Sequence, residues 1–210
     1  MIPREFISGA VLAGGEGRRM RGDGGAPVEK GLLSLRGRPL VAWSVRCLAP
    51  HVACVFISAN RHADEYGRHG QVVPDDPALG ELSGPLAGVA SVMAQIETPW
   101  LMTLPVDVPL LPLDLVARLS EAASRQGVAV AYARAAREHP LCMLAHRDVL
   151  PGLRRTLLAG ERKVRLWQAA EGAVAVPFAD ESAFFNINGP GDLDEAARML
   201  AARPHACQWA

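Results

Sequence analysis

The residues best suited to chemistry lie in a glycine-rich turn near the amino end of the chain. The turn reads Leu12-Ala13-Gly14-Gly15-Glu16-Gly17-Arg18-Arg19-Met20 and follows an apolar run over residues 6–13. Glycines let the backbone approach a phosphate or a base closely, and guanidinium groups donate hydrogen bonds to phosphate oxygens. The turn therefore predicts a binding site for an anionic group. An ordinary glycine-rich turn with solvated arginines is the alternative.

Two familiar nucleotide-binding motifs match this turn poorly. A dinucleotide-binding fold requires Gly-x-Gly-x-x-Gly and an acidic residue at the end of the second strand. Here Gly17 is followed by Arg18-Arg19-Met20, and the second predicted strand ends in Ser58-Ala59-Asn60. A P-loop requires Gly-Lys-Ser/Thr, whereas Lys30 precedes Gly31. The sequence argues against both a nicotinamide-dependent redox module and a P-loop enzyme.

The elements that must position this turn follow an alternating pattern. Short apolar runs alternate with segments of helical periodicity, which is typical of β-α units around a mostly parallel sheet. We predict strands over 6–13, 52–58, 71–73, 100–104, 128–133, 141–145 and 173–176. We predict helices over 39–48, 63–66, 85–95, 112–123, 149–159 and 163–168, and a last helix with Leu193, Ala196, Ala197 and Leu200 on one face.

The predicted fold class is α/β, a three-layer Rossmann-like sheet, mostly parallel, with helices on both faces. No repeat and no linker-like change of composition interrupts the chain, so we expect one domain over residues 1–210. Ligands of open α/β sheets bind at the carboxyl ends of the strands. The glycine-rich turn therefore lies where a site is expected.

Charge and composition exclude several classes of protein. The 210 residues include 22 Lys+Arg and 22 Asp+Glu, and this neutral balance argues against nucleic acid or an anionic membrane as a partner. The most apolar stretch, 99–116, carries two aspartates and four prolines, which a membrane span would not. The amino end has no signal-peptide h-region, and the four cysteines lack zinc or disulfide spacing. We expect reduced thiols and a cytoplasmic location.

Further motifs continue along the chain in a defined order. They are Leu12-Ala13-Gly14-Gly15, Arg19-Met20, Lys30-Gly31-Leu32-Leu33, Gly37-Arg38-Pro39-Leu40, Ala59-Asn60-Arg61, Asp75-Asp76, Gly84-Pro85-Leu86-Ala87-Gly88, Pro105-Val106-Asp107-Val108-Pro109, His139-Pro140 and Asn186-Ile187-Asn188. In type and order, over nearly the whole chain, they resemble the molybdenum cofactor guanylyltransferases, which have the nucleotide-diphosphosugar transferase fold. The opening motif is shared across that superfamily. The double glycine, the Ala-Asn-Arg segment, Gly-Pro-Leu-Ala-Gly and the late Asn-x-Asn together indicate the guanylyl branch.

The resemblance implies a reaction and its participants. GMP would pass from GTP to the terminal phosphate of molybdopterin, giving the guanine dinucleotide cofactor and pyrophosphate. Such a transfer depends on in-line positioning, on cations at the phosphate oxygens and on a divalent metal. The resemblance thus implies GTP and molybdopterin as substrates and Mg²⁺ as cofactor. It also implies molybdenum insertion proteins and apo-molybdoenzymes, or their chaperones, as partners.

The predicted catalytic residues are Arg19, Lys30 and Asp107. Asp107 lies just beyond a buried predicted strand, where its carboxylate can reach the sheet edge, and hard oxygen ligands suit Mg²⁺. A turn cap is the alternative for Asp107. By resemblance, Lys30 would lie near the α-phosphate and Arg19 at the pyrophosphate end, where cations stabilise developing charge. A solvated surface charge is the alternative for both.

The remaining nucleotide contacts are also carried over from the resemblance. The predicted nucleotide-binding residues are Leu12, Ala13, Gly14, Gly15, Lys30, Ser58, Asp76 and Asp107. Asp76 could accept hydrogen bonds from guanine N1 and N2, hold a metal-bound water, or serve only as a turn residue. The first turn of the helix at Pro85 would offer free backbone donors, or simply begin the helix.

The predicted molybdopterin contacts are Asn186, Asn188, Arg162 and Lys163. Asn186 and Asn188 alternate on an extended stretch, so both can face a pterin, although a buried pair that bridges loops is the alternative. Arg162 and Lys163 could grip a phosphate or form a solvated face. His139 is interpreted as structural, because an attacking phosphate is already ionised and needs no base.

The chain departs from the family pattern in two places. The segment between Met20 and Lys30 is longer than usual, and Ser58 stands where many relatives have Asn. Two rival functions stay open. One is a cytidylyl- or sugar-phosphate nucleotidyltransferase of the same superfamily. The other is a non-catalytic molybdopterin carrier, against which the set of Arg19, Lys30 and Asp107 argues, because a carrier needs no metal carboxylate.

Overall fold

The computed structural model describes residues 1–14, 29–80 and 84–202. Its strands are β1 (Ile7–Leu12), β2 (Ser34–Leu35), β3 (Arg38–Pro39), β4 (Val55–Ser58), β5 (Gln71–Val73), β6 (Trp100–Pro105), β7 (Val130–Arg134), β8 (Glu138–His146) and β9 (Val174–Pro177). Its helices are α1 (Leu40–Leu48), α2 (Ala63–Gly67), α3 (Pro85–Met93), α4 (Leu115–Gln126), α5 (Leu150–Leu158), α6 (Val164–Ala170) and α7 (Pro190–Ala202).

Within these residues, seven strands form one sheet in the order β5-β4-β1-β6-β8-β7-β9. Parallel pairs join β1 to β4 and β6, β4 to β5, and β7 to β9, while β8 runs antiparallel between β6 and β7. The sheet is therefore mostly parallel, and the predicted α/β fold class is confirmed.

The register of the sheet brings three strand ends to one level. Leu12 pairs with Ser58 on one side and with Pro105 on the other. The chain therefore leaves β1, β4 and β6 side by side at one edge of the sheet. Because β8 runs the opposite way, its amino end lies at this same edge, with Thr103 opposite Met143.

Apolar side chains cover both faces of the sheet. The helices α1, α4 and α7 pack on the face that carries Ile7 and Val11, whereas α3, α5 and α6 pack on the face that carries Ala10 and Leu12. All six residues of β1 are buried, as expected for a central strand covered by helices on both faces. The apolar cores on the two faces of the sheet thus support the sheet edge from which the site is built.

The structure differs from the sequence prediction in two local places. The β2–β3 hairpin was not expected, because its strands have two residues each and show no periodicity. Its two-residue loop is Arg36-Gly37, with φ of 51° and 78°, the left-handed pair that favours such a hairpin. Helix α4 begins at Leu115 instead of residue 112 and extends to Gln126.

The cysteines follow the expectation only in part. Cys54 and Cys142 are free thiols, but Cys47 takes part in a disulfide, which corrects the expectation of a reduced thiol at that position. Among the helices of the described ranges, none has the length and apolar character needed to cross a membrane.

Candidate active site

A cavity of about 930 Å³ opens at the carboxyl ends of β1, β4 and β6. Its walls include residues 12–14, 58–61 and 105–108, which follow these three strands, and residues 84, 85 and 88 at the start of α3. The opposite wall includes residues 137–142, around the amino end of β8. The cavity lies where ligands of open α/β sheets bind.

Lys30 and Asp107 form the charged centre of this cavity. Lys30 Nζ lies 2.5 Å from Asp107 Oδ2 and donates a second hydrogen bond to Asn188 Oδ1 at 3.2 Å. Both side chains of the ion pair are largely buried, 13% and 19% exposed. The other carboxylate oxygen, Asp107 Oδ1, is buried and has no hydrogen-bond partner in the described part of the chain. One oxygen of Asp107 therefore holds the lysine, and the other is the kind of donor that binds a cation.

The backbone of Asp107 is fixed from two directions. The Val106 N–H donates to the Leu12 carbonyl at 3.1 Å, and the Ile187 N–H donates to the Asp107 carbonyl at 2.9 Å. The first bond ties the residue that precedes Asp107 to the end of β1, and the second ties Asp107 itself to the segment that carries both predicted asparagines. Residues 12, 107 and 187 are thereby joined at one place, although they are far apart in sequence.

Asn186 and Asn188 both line the cavity. The backbone N–H groups of Asn188 and Gly189 donate to Asp192 Oδ2 at 2.7 and 2.8 Å, which anchors the loop to the start of α7. Asn186 Oδ1 is buried without a hydrogen-bond partner among the described residues. The structure thus brings both asparagines to the cavity with Lys30 and Asp107 and leaves one amide oxygen able to accept.

The end of the cavity near β4 and β5 contains a closed pair of residues, Asn60 and Asp75, joined by one side-chain and one backbone hydrogen bond. Asn60 Nδ2 donates to Asp75 Oδ2 at 2.9 Å, and the Asp75 N–H donates to Asn60 Oδ1 at 2.8 Å. Ser58 lies beside them, and a Cβ on Gly88 would be 2.2 Å from its hydroxyl oxygen. Helix α3 therefore approaches β4 at a distance that only glycine permits.

Asp76 lies outside the cavity, and its neighbour Asp75 lines it instead. The Asp76 carboxylate accepts from the Ala78 N–H at 2.9 Å, as the cap of a short 3-10 helix, and pairs with Arg154 at 3.0 Å. Its own N–H donates to Ser91 Oγ at 2.8 Å. The Asp75-Asp76 motif lies beside the cavity, but adjacent carboxylates in a turn carry no signal for which one lines it.

The other predicted residues divide into three groups. Leu12, Ala13, Gly14 and Ser58 line the cavity. Arg162 and Lys163 do not: Arg162 donates to the Leu157 carbonyl and Lys163 is an exposed residue at the start of α6. Gly15 and Arg19 lie outside the described residues.

The sequence motifs did not predict that the amino end of β8 forms a wall of the site. Of this wall's residues 137–142, only the His139-Pro140 motif was singled out in the sequence. The His139 ring stacks on Phe184 with a centroid distance of 4.2 Å and an interplanar angle of 15°. Burial lowers the pKa of His139, although Glu181, at 3.4 Å from its Nε2, opposes this shift. A neutral, stacked imidazole agrees with the interpretation of His139 as structural.

Cys142 lies on the same wall. Burial raises the pKa of its thiol, and the negative charge of Asp107 raises it further. The thiol therefore stays protonated beside the carboxylate and acts as a small apolar group.

Known proteins share this sequence and architecture. The family described as "MobA-like NTP transferase domain" matches residues 9–175. A molybdenum cofactor guanylyltransferase from Acidovorax sp. (strain JS42) is 38% identical over 208 residues, which cover 92% of this chain and 96% of that protein. The chain belongs to the molybdenum cofactor guanylyltransferase family. A second relative of that name, from Bordetella petrii, is 37% identical over 201 residues, 93% of this chain and 99% of its own.

Solved structures confirm the fold of this family member. Molybdopterin-guanine dinucleotide biosynthesis protein A from Archaeoglobus fulgidus superposes with a TM-score of 0.74 at 22% identity, covering 93% of this chain and 99% of that one. A CMP:2-keto-3-deoxy-manno-octonic acid synthetase complexed with CTP gives a TM-score of 0.69 at 15% identity, covering 95% and 99%. The resemblance predicted from the motifs is confirmed, and the chain is a nucleotidyltransferase.

Proposed function

We propose that this enzyme transfers GMP from GTP to the phosphate of Mo-molybdopterin and forms the guanine dinucleotide cofactor and pyrophosphate. The observation that carries the proposal is the Lys30–Asp107 pair, which lies in a cavity at the sheet edge and leaves Asp107 Oδ1 without a partner among the residues that the structure describes. Family membership supports the choice of substrates, because relatives at 37–38% identity bear the name molybdenum cofactor guanylyltransferase.

The proposed step is a displacement at the α-phosphorus of GTP. An oxygen of the molybdopterin phosphate attacks, a new P–O bond forms, and the bond to the bridging oxygen of the β-phosphate breaks. Pyrophosphate leaves with that electron pair. The attacking phosphate is already ionised, so no general base is required, and the stacked His139 supplies none.

Lys30 would stabilise the negative charge that develops on the phosphate oxygens during this step. Its ammonium is fixed by Asp107 and Asn188 at the cavity surface. A preorganised cation stabilises charge on the α-phosphate and on the leaving group without rearrangement during the reaction. Lys30 would therefore act mainly on turnover and less on nucleotide affinity.

Asp107 is the residue that would hold Mg²⁺. Magnesium is commonly bound through one or two carboxylates together with substrate phosphates, and Asp107 and Asp75 both line the cavity. The unpartnered Oδ1 of Asp107 fits this chemistry. When bound, the ion supplies positive charge to the phosphate oxygens.

The two substrates would occupy different ends of the cavity. Residues 12–14 and 58–60 with Asp75 offer backbone groups and a carboxylate for the base, and guanine presents N1 and N2 donors to such an acceptor. Asn186 and Asn188 would receive the pterin, whose donors suit the free Oδ1 of Asn186. Arg162 and Lys163 stay predictions for molybdopterin, because neither lines the cavity.

A titration with GTP, CTP and ATP, with and without Mg²⁺, tests the nucleotide part of the proposal. We expect binding of GTP alone, strengthened by Mg²⁺. Preference for CTP would place the enzyme with cytidylyl transferases. Absence of nucleotide binding would contradict the proposal and favour a molybdopterin carrier.

A further inference from the structure

The carboxylate of Glu29 is held from two sides immediately before Lys30. Tyr66 Oη donates to Glu29 Oε1 at 2.9 Å, and Arg61 Nη2 lies 3.4 Å from Glu29 Oε2. The Glu29 side chain is only 9% exposed, and Tyr66 is fully buried in α2. These contacts fix the residue that directly precedes the lysine.

The same tyrosine fixes the backbone that directly follows the lysine. Glu29 begins a 3-10 turn over Lys30–Leu32, in which the Leu32 N–H donates to the Glu29 carbonyl at 3.1 Å. A Cβ on Gly31 would be 2.4 Å from Tyr66 Oη, so the phenol packs directly on the Gly31 backbone. One side chain therefore contacts the residues on both sides of Lys30.

The Tyr66 phenol keeps its proton. Burial raises the pKa of Tyr66, and the negative charge of Glu29 raises it further. The direction of the hydrogen bond is therefore constant across physiological pH, because an ionised carboxylate can only accept.

From these contacts we propose that Glu29 and Tyr66 are positioning residues that hold the Lys30 ammonium against Asp107. The task of Lys30 at the α-phosphate rests on the proposed function, but the positioning itself rests on the contacts above. A lysine side chain is long and flexible, so its ammonium lies in one place only where the backbone and the partners of Nζ are both fixed. Glu29 and Tyr66 fix the backbone, and Asp107 and Asn188 fix Nζ.

The chemical reactivity of Lys30 tests this proposal without any assay of turnover. The chain has two lysines, Lys30 and the exposed Lys163, which serves as an internal standard. The purified protein is treated with limiting acetic anhydride, and acetylation at both lysines is followed by peptide mass spectrometry. In the wild-type protein we expect Lys30 to react much more slowly than Lys163.

Three variants test the proposal through the ratio of Lys30 to Lys163 labelling. Tyr66→Phe removes Oη but keeps the ring, and should raise the Lys30/Lys163 labelling ratio about fivefold, the factor that loss of one hydrogen bond allows. Glu29→Gln should change the ratio in the same direction. Tyr132→Phe is the matched control, because it removes the hydrogen bond from another tyrosine to a glutamate, Glu138, at 3.2 Å, and should leave the ratio unchanged. An unchanged ratio in both Tyr66→Phe and Glu29→Gln would overturn the proposal.

Measurements of turnover distinguish a role of Tyr66 in positioning Lys30 from a merely structural role of Tyr66. Tyr66→Phe should lower kcat about fivefold with the KM for GTP unchanged, because the lost alignment matters only in the transition state. In a Lys30→Ala background, Tyr66→Phe should cause no further loss. A full additional loss in that background would show that the tyrosine acts independently of Lys30 and would overturn the proposal.

The two readouts keep this proposal distinct from the proposed function. If Lys30→Ala retains wild-type turnover, the role of Lys30 in the proposed reaction is wrong. The labelling ratio still decides, in that case, whether Glu29 and Tyr66 hold the lysine.

Discussion

The two walls of the cavity differ in whether their polar groups already have hydrogen-bond partners. The parallel wall, defined by residues 12–14, 58–61, 75, 84, 85 and 88, follows parallel strands and the start of α3, and its residues Asn60 and Asp75 hydrogen-bond each other. The antiparallel wall, residues 137–142 with 184, 186 and 188, lies around the amino end of β8, and Asn186 Oδ1 has no partner among the described residues.

This difference indicates where ligand binding energy would arise. A buried polar atom without a partner costs about 1–3 kcal/mol, so a ligand donor that satisfies Asn186 gains more than one that joins a closed pair. The parallel wall is instead shaped by close backbone packing, as at Gly88. Substitutions on the two walls should therefore affect the two substrates differently, with the Lys30–Asp107 pair between them affecting turnover.

The largest effect is expected at the centre, from Asp107→Asn. The variant loses the charge that pairs with Lys30 and would bind Mg²⁺, so turnover should fall by at least about 10²–10³-fold. The substitution is isosteric, so the fold should persist, but it leaves the largely buried Lys30 ammonium without its counter-ion, so the midpoint of thermal unfolding should also fall. Steady-state kinetics and calorimetry check both expectations, and wild-type turnover in this variant would remove Asp107 from the metal role.

Gly88→Ala should distort the parallel wall selectively. The new Cβ would lie 2.2 Å from Ser58 Oγ, and such overpacking costs about 1–3 kcal/mol of unfolding free energy. Affinity for GTP should fall, while that for molybdopterin stays near the wild-type value. Gly191→Ala in α7 is the matched control, because beyond its chain neighbours and its own helix backbone no described atom lies within 4 Å of its Cβ position. Equal losses for both substrates would show that the walls do not act separately.

Asn186→Ala should have the opposite selectivity. Removing the amide oxygen should raise the KM for molybdopterin about fivefold to tenfold, the value of one hydrogen bond, and leave the KM for GTP unchanged. Asn60→Ala, which breaks the closed pair on the parallel wall, should raise the KM for GTP instead. A change in the KM for GTP alone in Asn186→Ala would contradict the assignment of the walls.

The smallest effect concerns pH and His139 on the antiparallel wall. Its pKa in the folded protein is below the ordinary value of 6.5, so the unfolded chain binds more protons as the pH falls below that value. This histidine should therefore make the protein less stable on acidification below pH 6.5. His139→Gln should show a shallower loss of unfolding free energy over that interval in urea titrations. An identical pH profile in both proteins would contradict the lowered pKa.

The comparison of the walls also shows what the sequence could predict of the fold. Strand β5 at 71–73 was predicted exactly, and β1 and β6 within a few residues, because buried strands give short apolar runs. The antiparallel direction of β8 was not predicted, because strand direction depends on contacts distant in sequence. On the antiparallel wall, Asn186, Asn188 and the His139-Pro140 motif were singled out in the sequence, whereas Cys142 and Phe184 were not, for the same reason.

The structure brings predicted site residues together where a motif fixes the backbone. Lys30, Asp107 and Asn188 were all predicted, and they meet through direct hydrogen bonds. Which of Asp75 and Asp76 lines the cavity depends on which carboxylate caps the following 3-10 turn, and local sequence does not determine this. Arg162 and Lys163 were selected on charge alone, and charge does not indicate where a side chain lies.

Transfer of label from α-³²P-GTP to Mo-molybdopterin tests the central claim most directly. With Mg²⁺, wild-type enzyme should move the label into the dinucleotide product and release unlabelled pyrophosphate. Asp107→Asn should give almost no labelled product, and α-³²P-CTP should be a poor donor. Equal transfer from CTP, or undiminished transfer by Asp107→Asn, would contradict guanylyl transfer at the Lys30–Asp107 pair.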